Sequence, residues 1–391
     1  MHVENPERLA GITPQTTRRR TSLHPGRTCY NRAMTLPAAL FGFDPPDLAV
    51  DHVLAITAQH WAFTGRPQRL RGERSHNTLI TSADGVARIL QVQSASEDAT
   101  VIDLQTRAMR HLERHAPDVP VSRVIPTLAG ELHAEVEIDG RAHLARLVSF
   151  LPGTTFDPTA TLPVIAYLRI GALIGRIARG LATFDHPAAT HFMPWDVANG
   201  LIVDDTLRTD LTDSSACALD SVDERLHAAV ETMRSLRRRT IHNDGHAGNL
   251  VRPDRTSHQV SGVIDFGDLV RTVISADVAI IAESFAPDHP DPAAVVAAVT
   301  AGYHAEVPLD EDEIGSIPEL VLARTALNVL LAEYQIHHAP HLAPHAAANL
   351  PDVIERLMRW SRLDTGAMIA RVHEAIASSP DTPPDEQDAA P

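Results

Sequence analysis

An aspartate at 244, an asparagine at 249 and a second aspartate at 265 are the side chains whose types and spacing say most about chemistry. The first two lie in Thr240-Ile241-His242-Asn243-Asp244-Gly245-His246-Ala247-Gly248-Asn249-Leu250. The third opens Asp265-Phe266-Gly267-Asp268, directly after Gly262-Val263-Ile264. Such a set suits transfer of a phosphoryl group to a hydroxyl. That reaction needs a carboxylate to orient the attacking hydroxyl and take its proton, and oxygen donors to hold a divalent cation against the phosphates. Asp244 fits the first need. Asn249 and Asp265 fit the second, because magnesium prefers carboxylate and amide oxygens. Asp265 and Asp268 taken alone would read as turn residues beside glycine; their distance from His242–Asn249 favours the chemical reading. His242, Asp244 and His246 could instead ligate a softer metal, which leaves Asn249 and Asp265 without a role.

Apolar residues flank both halves of the segment, Leu250 and Val251 on one side and Val263 and Ile264 on the other, so it reads as strand–turn–strand with polar residues at one end. Upstream, the spacing of Val53, Leu54, Ile56 and Trp61 predicts a short helix over 51–63. Asn77–Thr81 and Val86–Val92 read as two strands around an Ala83-Asp84-Gly85 turn. A helix over 99–113 and strands at 121–125, 132–138 and 143–150 follow. After Pro152-Gly153 the texture becomes helical, with segments at 163–184, 222–238, 276–285, 291–304, 317–336 and 351–377. Asp277 reads as a helix N-cap. The acidic stretch 203–224 reads as solvated loop and helix start. His337, His338, His341 and His345, broken by Pro340 and Pro344, read as an exposed loop.

Acidic side chains outnumber basic ones by 50 to 34, giving a formal net charge of -16, which argues against nucleic acid or an anionic membrane as partner. Two distant cysteines, Cys29 and Cys217, make no disulfide framework, so a reducing cytoplasm is expected. No uninterrupted apolar run approaches a membrane span. Residues 1–33 are basic and unpatterned, which fits a transit peptide or an extension ahead of a natural start at Met34. The segment 378–391 reads as a disordered acidic tail. Between them lie a strand-rich lobe, 34–149, and a helical lobe, 150–377.

The two halves of the motif resemble the His-Gly-Asp-x-His-x-x-Asn and Ile-Asp-Phe-Gly-Asp signatures of the aminoglycoside/choline-kinase-type phosphotransferase family, with a flavour closest to its hydroxylysine-kinase branch. The resemblance runs from about Arg71 to about Glu333. It implies an α+β, protein-kinase-like two-lobed fold: a small antiparallel β-sheet lobe with one helix, and a large, mainly helical lobe. It implies Asp244 as catalytic base, Asn249 and Asp265 as magnesium ligands, and ATP or GTP as co-substrate. Arg74 and Ser75, with Asp84-Gly85, resemble the nucleotide-covering hairpin. Ser149, Phe150 and Leu151 resemble the hinge that holds the purine. His242, His246 and Asp277 would support the loop. Asp268, Glu283 and Trp195 are candidates to face the acceptor, a small amine-bearing metabolite with a hydroxyl; Asp268 and Glu283 read equally well as a turn residue and a helix-surface glutamate.

Two positions depart from the pattern. Asn243 stands where the family has glycine, and asparagine tolerates left-handed backbone angles better than most residues. Gln91 stands where the family's phosphate-binding lysine is expected, and its helix partner falls near Gln105. Arg88 points to the opposite strand face; Arg71 and Arg74 are candidate replacement cations. The alternative function is therefore a pseudokinase that binds nucleotide or metabolite with little turnover, and a weaker one is a metal-dependent hydrolase. If Gln91 faces the phosphates, Gln91→Lys is expected to tighten nucleotide binding.

Overall fold

A computed structural model describes residues 41–200 and 207–378. The expected extension at 1–33, residues 203–206 of the acidic stretch and nearly all of the acidic tail lie outside them. The first lobe begins with helix α1 (Val50–Trp61) and strands β1 (Arg66–Leu70), β2 (Ser75–Thr81) and β3 (Ala87–Gln93). Helix α2 (Ala99–His115), β4 (Val124–Ile125), β5 (Ala134–Ile138) and β6 (Arg141–Ser149) complete it. The sheet is antiparallel in the order β1-β2-β3-β6-β4, with β5 beside β4 on the same edge of β6. Gly85, at φ +87°, turns the β2–β3 hairpin. Strand β1 escapes sequence reading because Arg66-Pro67-Gln68-Arg69-Leu70 is polar and carries proline; it is an edge strand, where the missing N–H costs little. The lobe thus holds two helices, α1 where 51–63 was expected and α2 where 99–113 was, against the one helix that the resemblance implied. The Asp98 side chain caps α2 by accepting from the Thr100 N–H at 2.8 Å, and Ile102, Leu104, Ala108, Met109 and Leu112 bury its apolar face.

The second lobe contains β7 (Thr154–Thr155), α3 (Val164–Gly180), α4 (Val197–Gly200), α5 (Asp213–Asp220) and α6 (Asp223–Met233). Four short strands follow: β8 (Arg238–Ile241), β9 (Leu250–Arg252), β10 (Gly262–Val263) and β11 (Val270–Val273). Helices α7 (Ser275–Phe285), α8 (Pro292–Glu306), α9 (Glu311–His338), α10 (Ala343–Trp360) and α11 (Thr365–Ser378) close the chain.

Several helix boundaries differ from expectation, α10 among them, which starts at Ala343 instead of 351. Helix α6 stops at Met233 because Arg238–Ile241 pairs with β11 instead. Helix α9 starts six residues early and passes through Pro318, its first turn fixed by a capping box between Asp310 and Glu313. The expected 351–377 helix is two, since Asp364 accepts from the Ala367 N–H at 3.0 Å and starts α11 afresh. Helix α9 is long and apolar enough to cross a membrane by length and composition, yet 83% of its most apolar window is buried inside the protein.

Helices α3 and α8 approach so closely that glycine is required between them. A Cβ on Gly302 would lie 1.9 Å from the Leu168 carbonyl oxygen, and one on Gly171 would lie 2.1 Å from that of Val299. Both clashes are with backbone, which cannot turn aside. Gly302→Ala is therefore expected to destabilise the fold by roughly 3 kcal/mol, read as a fall in the urea midpoint; a loss under about 1 kcal/mol would show that the helices can part freely.

Candidate active site

Two ribbons bring the chemical residues together. Strand β8 pairs with β11, and β9 pairs with β10. The segments 242–249 and 264–269 each cross from one ribbon to the other, so they run side by side. The Ile264 N–H donates to the Asn249 carbonyl at 2.9 Å and locks the two crossings together. On the first, Asn243 adopts φ +61°, as an asparagine replacing glycine can. Its N–H donates to the buried Asp277 carboxylate at 2.9 Å. Asp277 lies within the first turn of α7 and ties that helix to the loop instead of capping α7. The Asp244 N–H is 3.3 Å from His242 Nδ1, which accepts and leaves the proton on Nε2. The Phe266 ring meets the His242 imidazole edge-on, with centroids 4.8 Å apart.

Asn249 Nδ2 donates to Asp244 twice, to the main-chain oxygen at 3.0 Å and to Oδ2 at 2.6 Å. Neither bond uses Asn249 Oδ1. Asp265 is exposed to the cleft at φ +65°, and its Oδ1 accepts from the Gly267 N–H at 3.0 Å. His246 Nε2 is 3.6 Å from Asp244 Oδ1, while its Nδ1 accepts from Gly248 N at 3.0 Å. Burial, then the nearby Asp268 and Asp265 carboxylates, push the Asp244 pKa well above the usual carboxylate range, against the pull of Arg324 and Arg74. Burial lowers both imidazoles, His242 to about 4.

Asp244, His246 and Asp265 line a cleft of about 560 Å³ between the lobes; Asn249 and His242 are buried and stand outside its lining. Arg74 spans it, with Nη2 2.8 Å from Asp268 Oδ1 and Nη1 donating to the Gly267 carbonyl at 3.2 Å. Gln105, on α2, donates to the same carbonyl at 3.1 Å. Arg74, on the β1–β2 connection, and Ser75, the first residue of β2, line the cleft as expected; Asp84-Gly85 turns the opposite end of β2 and lines no part of it. Ser149, Phe150 and Leu151 also stand outside its lining. The N–H groups of Ser149 and Phe150 donate to Arg123 and Ala87 carbonyls, because β6 continues to Ser149.

Gln91 does line the cleft, facing Arg146 across the β3–β6 pair: Arg146 Nε donates to Gln91 Oε1 at 2.8 Å. A lysine at 91 alone would meet this guanidinium, so the single exchange is no longer expected to tighten nucleotide binding. Arg88 lies over the Phe63 ring at 4.5 Å, outside the cleft.

On the far side, Trp195 and Glu283 line the cleft with residues that sequence reading missed. Arg324, from the middle of α9, donates to the Trp195 carbonyl, lies over its indole at 5.3 Å and stands 3.9 Å from Asp244 Oδ1. Asn328, one turn on, donates to Glu283 at 3.0 Å. Their four-residue spacing on a helix was a signal, but only the fold shows which face of α9 meets the site. Asp268 is held by Arg74. Of the four clustered histidines, His337 and His338 end α9 and His345 lies on α10, so helix replaces most of the expected loop; His345 reaches the cleft rim.

Among the described residues no three of His, Cys, Asp and Glu converge as a metal cluster. The donor set fits a hard cation that takes one carboxylate, Asp265, and one amide oxygen, Asn249, and completes its shell with phosphate and water oxygens.

A two-lobed α+β fold with a carboxylate, an amide and a second carboxylate on adjacent crossings defines a small-molecule kinase. The family model described as "Phosphotransferase enzyme family" matches residues 67–314, and the chain belongs to that family. It is 27% identical over 309 residues to hydroxylysine kinase of Danio rerio, covering 75% of this chain and 86% of that one. It is 24% identical to hydroxylysine kinase of Mus musculus, covering 66% and 73%. Among solved structures it resembles an amicoumacin kinase in complex with AMP-PNP, Ca2+ and Ami (TM-score 0.62, 18% identity, 82% of this chain and 97% of that one). It also resembles a microcompartment-associated aminopropanol kinase (TM-score 0.61, 16% identity, 83% and 98%). The enzyme therefore moves phosphate from a nucleoside triphosphate to the hydroxyl of a small molecule.

Burial raises Asp277 to about 7, so folding gives it a proton between about pH 4 and 7. His242, lowered to about 4, gives one up between about pH 6.5 and 4. The two slopes of stability against pH oppose each other. Asp277→Asn removes the one that declines with rising pH. Relative to the parent, its stability is expected to climb between pH 4.5 and 6.5, by up to about 1.4 kcal/mol per pH unit. Parallel urea midpoints across that range would refute the protonated Asp277.

Proposed function

We propose that the enzyme transfers the γ-phosphate of ATP or GTP, with magnesium, to a hydroxyl of a small amine-bearing metabolite, hydroxylysine first among candidates. The carrying observation is the arrangement around Asp244. Its carboxylate is held at one oxygen by the Asn249 amide and faces a cleft with Asp265 on the nucleotide side and Glu283 on the other. An acceptor hydroxyl at Asp244 gives its proton to that carboxylate as it attacks. Magnesium, when bound, neutralises charge on the phosphates; Asn249 and Asp265 would hold it. His242 and Asp277 keep the loop in its left-handed turn, and His246 helps fix Asn249.

The amine preference rests on Glu283. Its carboxylate is 8% exposed, has Asn328 as its hydrogen-bond donor and is raised by burial, so an ammonium group arriving there would restore its charge. Trp195 lines the same cleft, with Arg324 over its indole at 5.3 Å. The names of the Danio rerio and Mus musculus relatives support a hydroxylated amino acid.

The test is ADP or GDP release with magnesium and each triphosphate, over hydroxylysine, homoserine, choline-like alcohols and aminoglycosides, with products read by mass. Turnover with an amino alcohol is expected; silence with every hydroxyl acceptor would overturn the proposal. Asp244→Ala is expected to cut kcat by about 10³-fold while nucleotide binding persists. Glu283→Gln is expected to raise the acceptor KM about 10-fold with the nucleotide KM unchanged. Equal loss for an amine-free alcohol would remove Glu283 from ammonium recognition.

A further inference from the structure

The phosphate-binding lysine is missing from β3, yet the cleft wall above Asp265 is not neutral. Arg146 projects from the neighbouring strand, β6, at the position paired with Gln91. It is 5% exposed, a guanidinium largely removed from water. Its bonds go to neutral groups: Nε to Gln91 Oε1 at 2.8 Å and Nη1 to Thr106 Oγ1 at 3.2 Å. No carboxylate among the described residues comes within ion-pair distance of it; Glu97 and Asp265 act on it only from farther off. Among the described residues Nη2 has no partner, and it is not sealed from the cleft.

A buried cation without a counter-ion is costly, by several kcal/mol, unless an anion comes to meet it. The other guanidiniums of the cleft differ. Arg74 is paired with Asp268, Arg324 is spent on Trp195 and Asp244, Arg356 is paired with Asp288, and Arg71 is exposed. Arg146 alone combines burial, fixed orientation and an open donor.

We propose that Arg146, oriented by Gln91 and Thr106, binds the nucleotide's phosphates and carries the charge that a β3 lysine would otherwise supply. Gln91 is then the acceptor that aims the guanidinium. This rests on the kinase reading of the same cleft. A guanidinium offers parallel donors to phosphate oxygens and keeps its charge when desolvated, where an ammonium can lose it.

The test compares magnesium-ATP and magnesium-GTP with adenosine and guanosine by calorimetry on the full chain. Arg146→Gln is expected to weaken the preferred triphosphate about 10- to 100-fold and to leave its nucleoside within about twofold. Gln91→Lys added to Arg146→Gln returns the charge from the opposite strand and is expected to recover most of the loss. If triphosphate affinity is unchanged, or if triphosphate and nucleoside weaken together, the proposal fails. Should Arg146→Gln prove unstable, Thr106→Val keeps the charge but frees Nη1. A selective, several-fold loss of triphosphate affinity then supports the assignment, and an unchanged affinity overturns it. Normal phosphoryl transfer by Arg146→Gln would sink this role alone; loss of turnover in Asp244→Ala is the separate measure of the kinase reading.

Discussion

Two short ribbons crossed by the same pair of loops are the constraint on which this site depends. The β8–β11 ribbon is short, and the β9–β10 ribbon, widened by the two-residue β7 on the other edge of β9, is little larger, so neither would be stable alone. Together they set the separation of Asp244 and Asp265 by main-chain geometry. The Ile264–Asn249 hydrogen bond fixes the crossings against each other, and Asp277 fixes the first crossing to α7. Left-handed angles at Asn243 and Asp265 are the local strain this design tolerates. They turn each carboxylate-bearing residue out of its strand path and into the cleft.

The cleft concentrates charge of both signs. Asp244, Asp265 and Asp268 crowd one side; Arg74 and Arg324 hold part of their charge in check. Asp244 therefore takes up protons more readily than a surface aspartate. That suits a group meant to receive a proton from an alcohol. A divalent cation between Asp265 and Asn249 would lower the same pKa again, so the readiness of Asp244 depends on what else is bound.

Much of this was legible in the residues. The order Asp244, Asn249, Asp265 is a local pattern, and the strands around it announce themselves by apolar pairs. Gln91 was legible as a departure, since a short hairpin fixes its register on β3. What replaces its charge was not, because Arg146 meets Gln91 only through the pairing of β3 with β6, more than fifty residues apart in sequence. Arg324 and Asn328 were hidden in the same way: a long apolar helix gives a face but not what that face meets. The 351–377 pattern misled because helical spacing persists across the turn that Asp364 makes.

Moving the charge from one strand to its neighbour changes more than its address. A lysine on β3 reaches a phosphate with a flexible stem and is steadied by a carboxylate from the helix behind it. Here the helix offers Gln105, which supports the Gly267 carbonyl, and Thr106, which holds the guanidinium. No carboxylate is needed behind Arg146, since its orientation comes from two neutral acceptors and its charge does not depend on a partner. The cost is a desolvated cation, which destabilises the protein until an anion meets it and favours any polyanion that enters. The substitutions at 91 and 105 thus belong together. Once the cation stands on β6, a glutamate at 105 would have no lysine to steady and would add a carboxylate beside Asp265 and Asp268, whereas the amide donates to the loop that carries them.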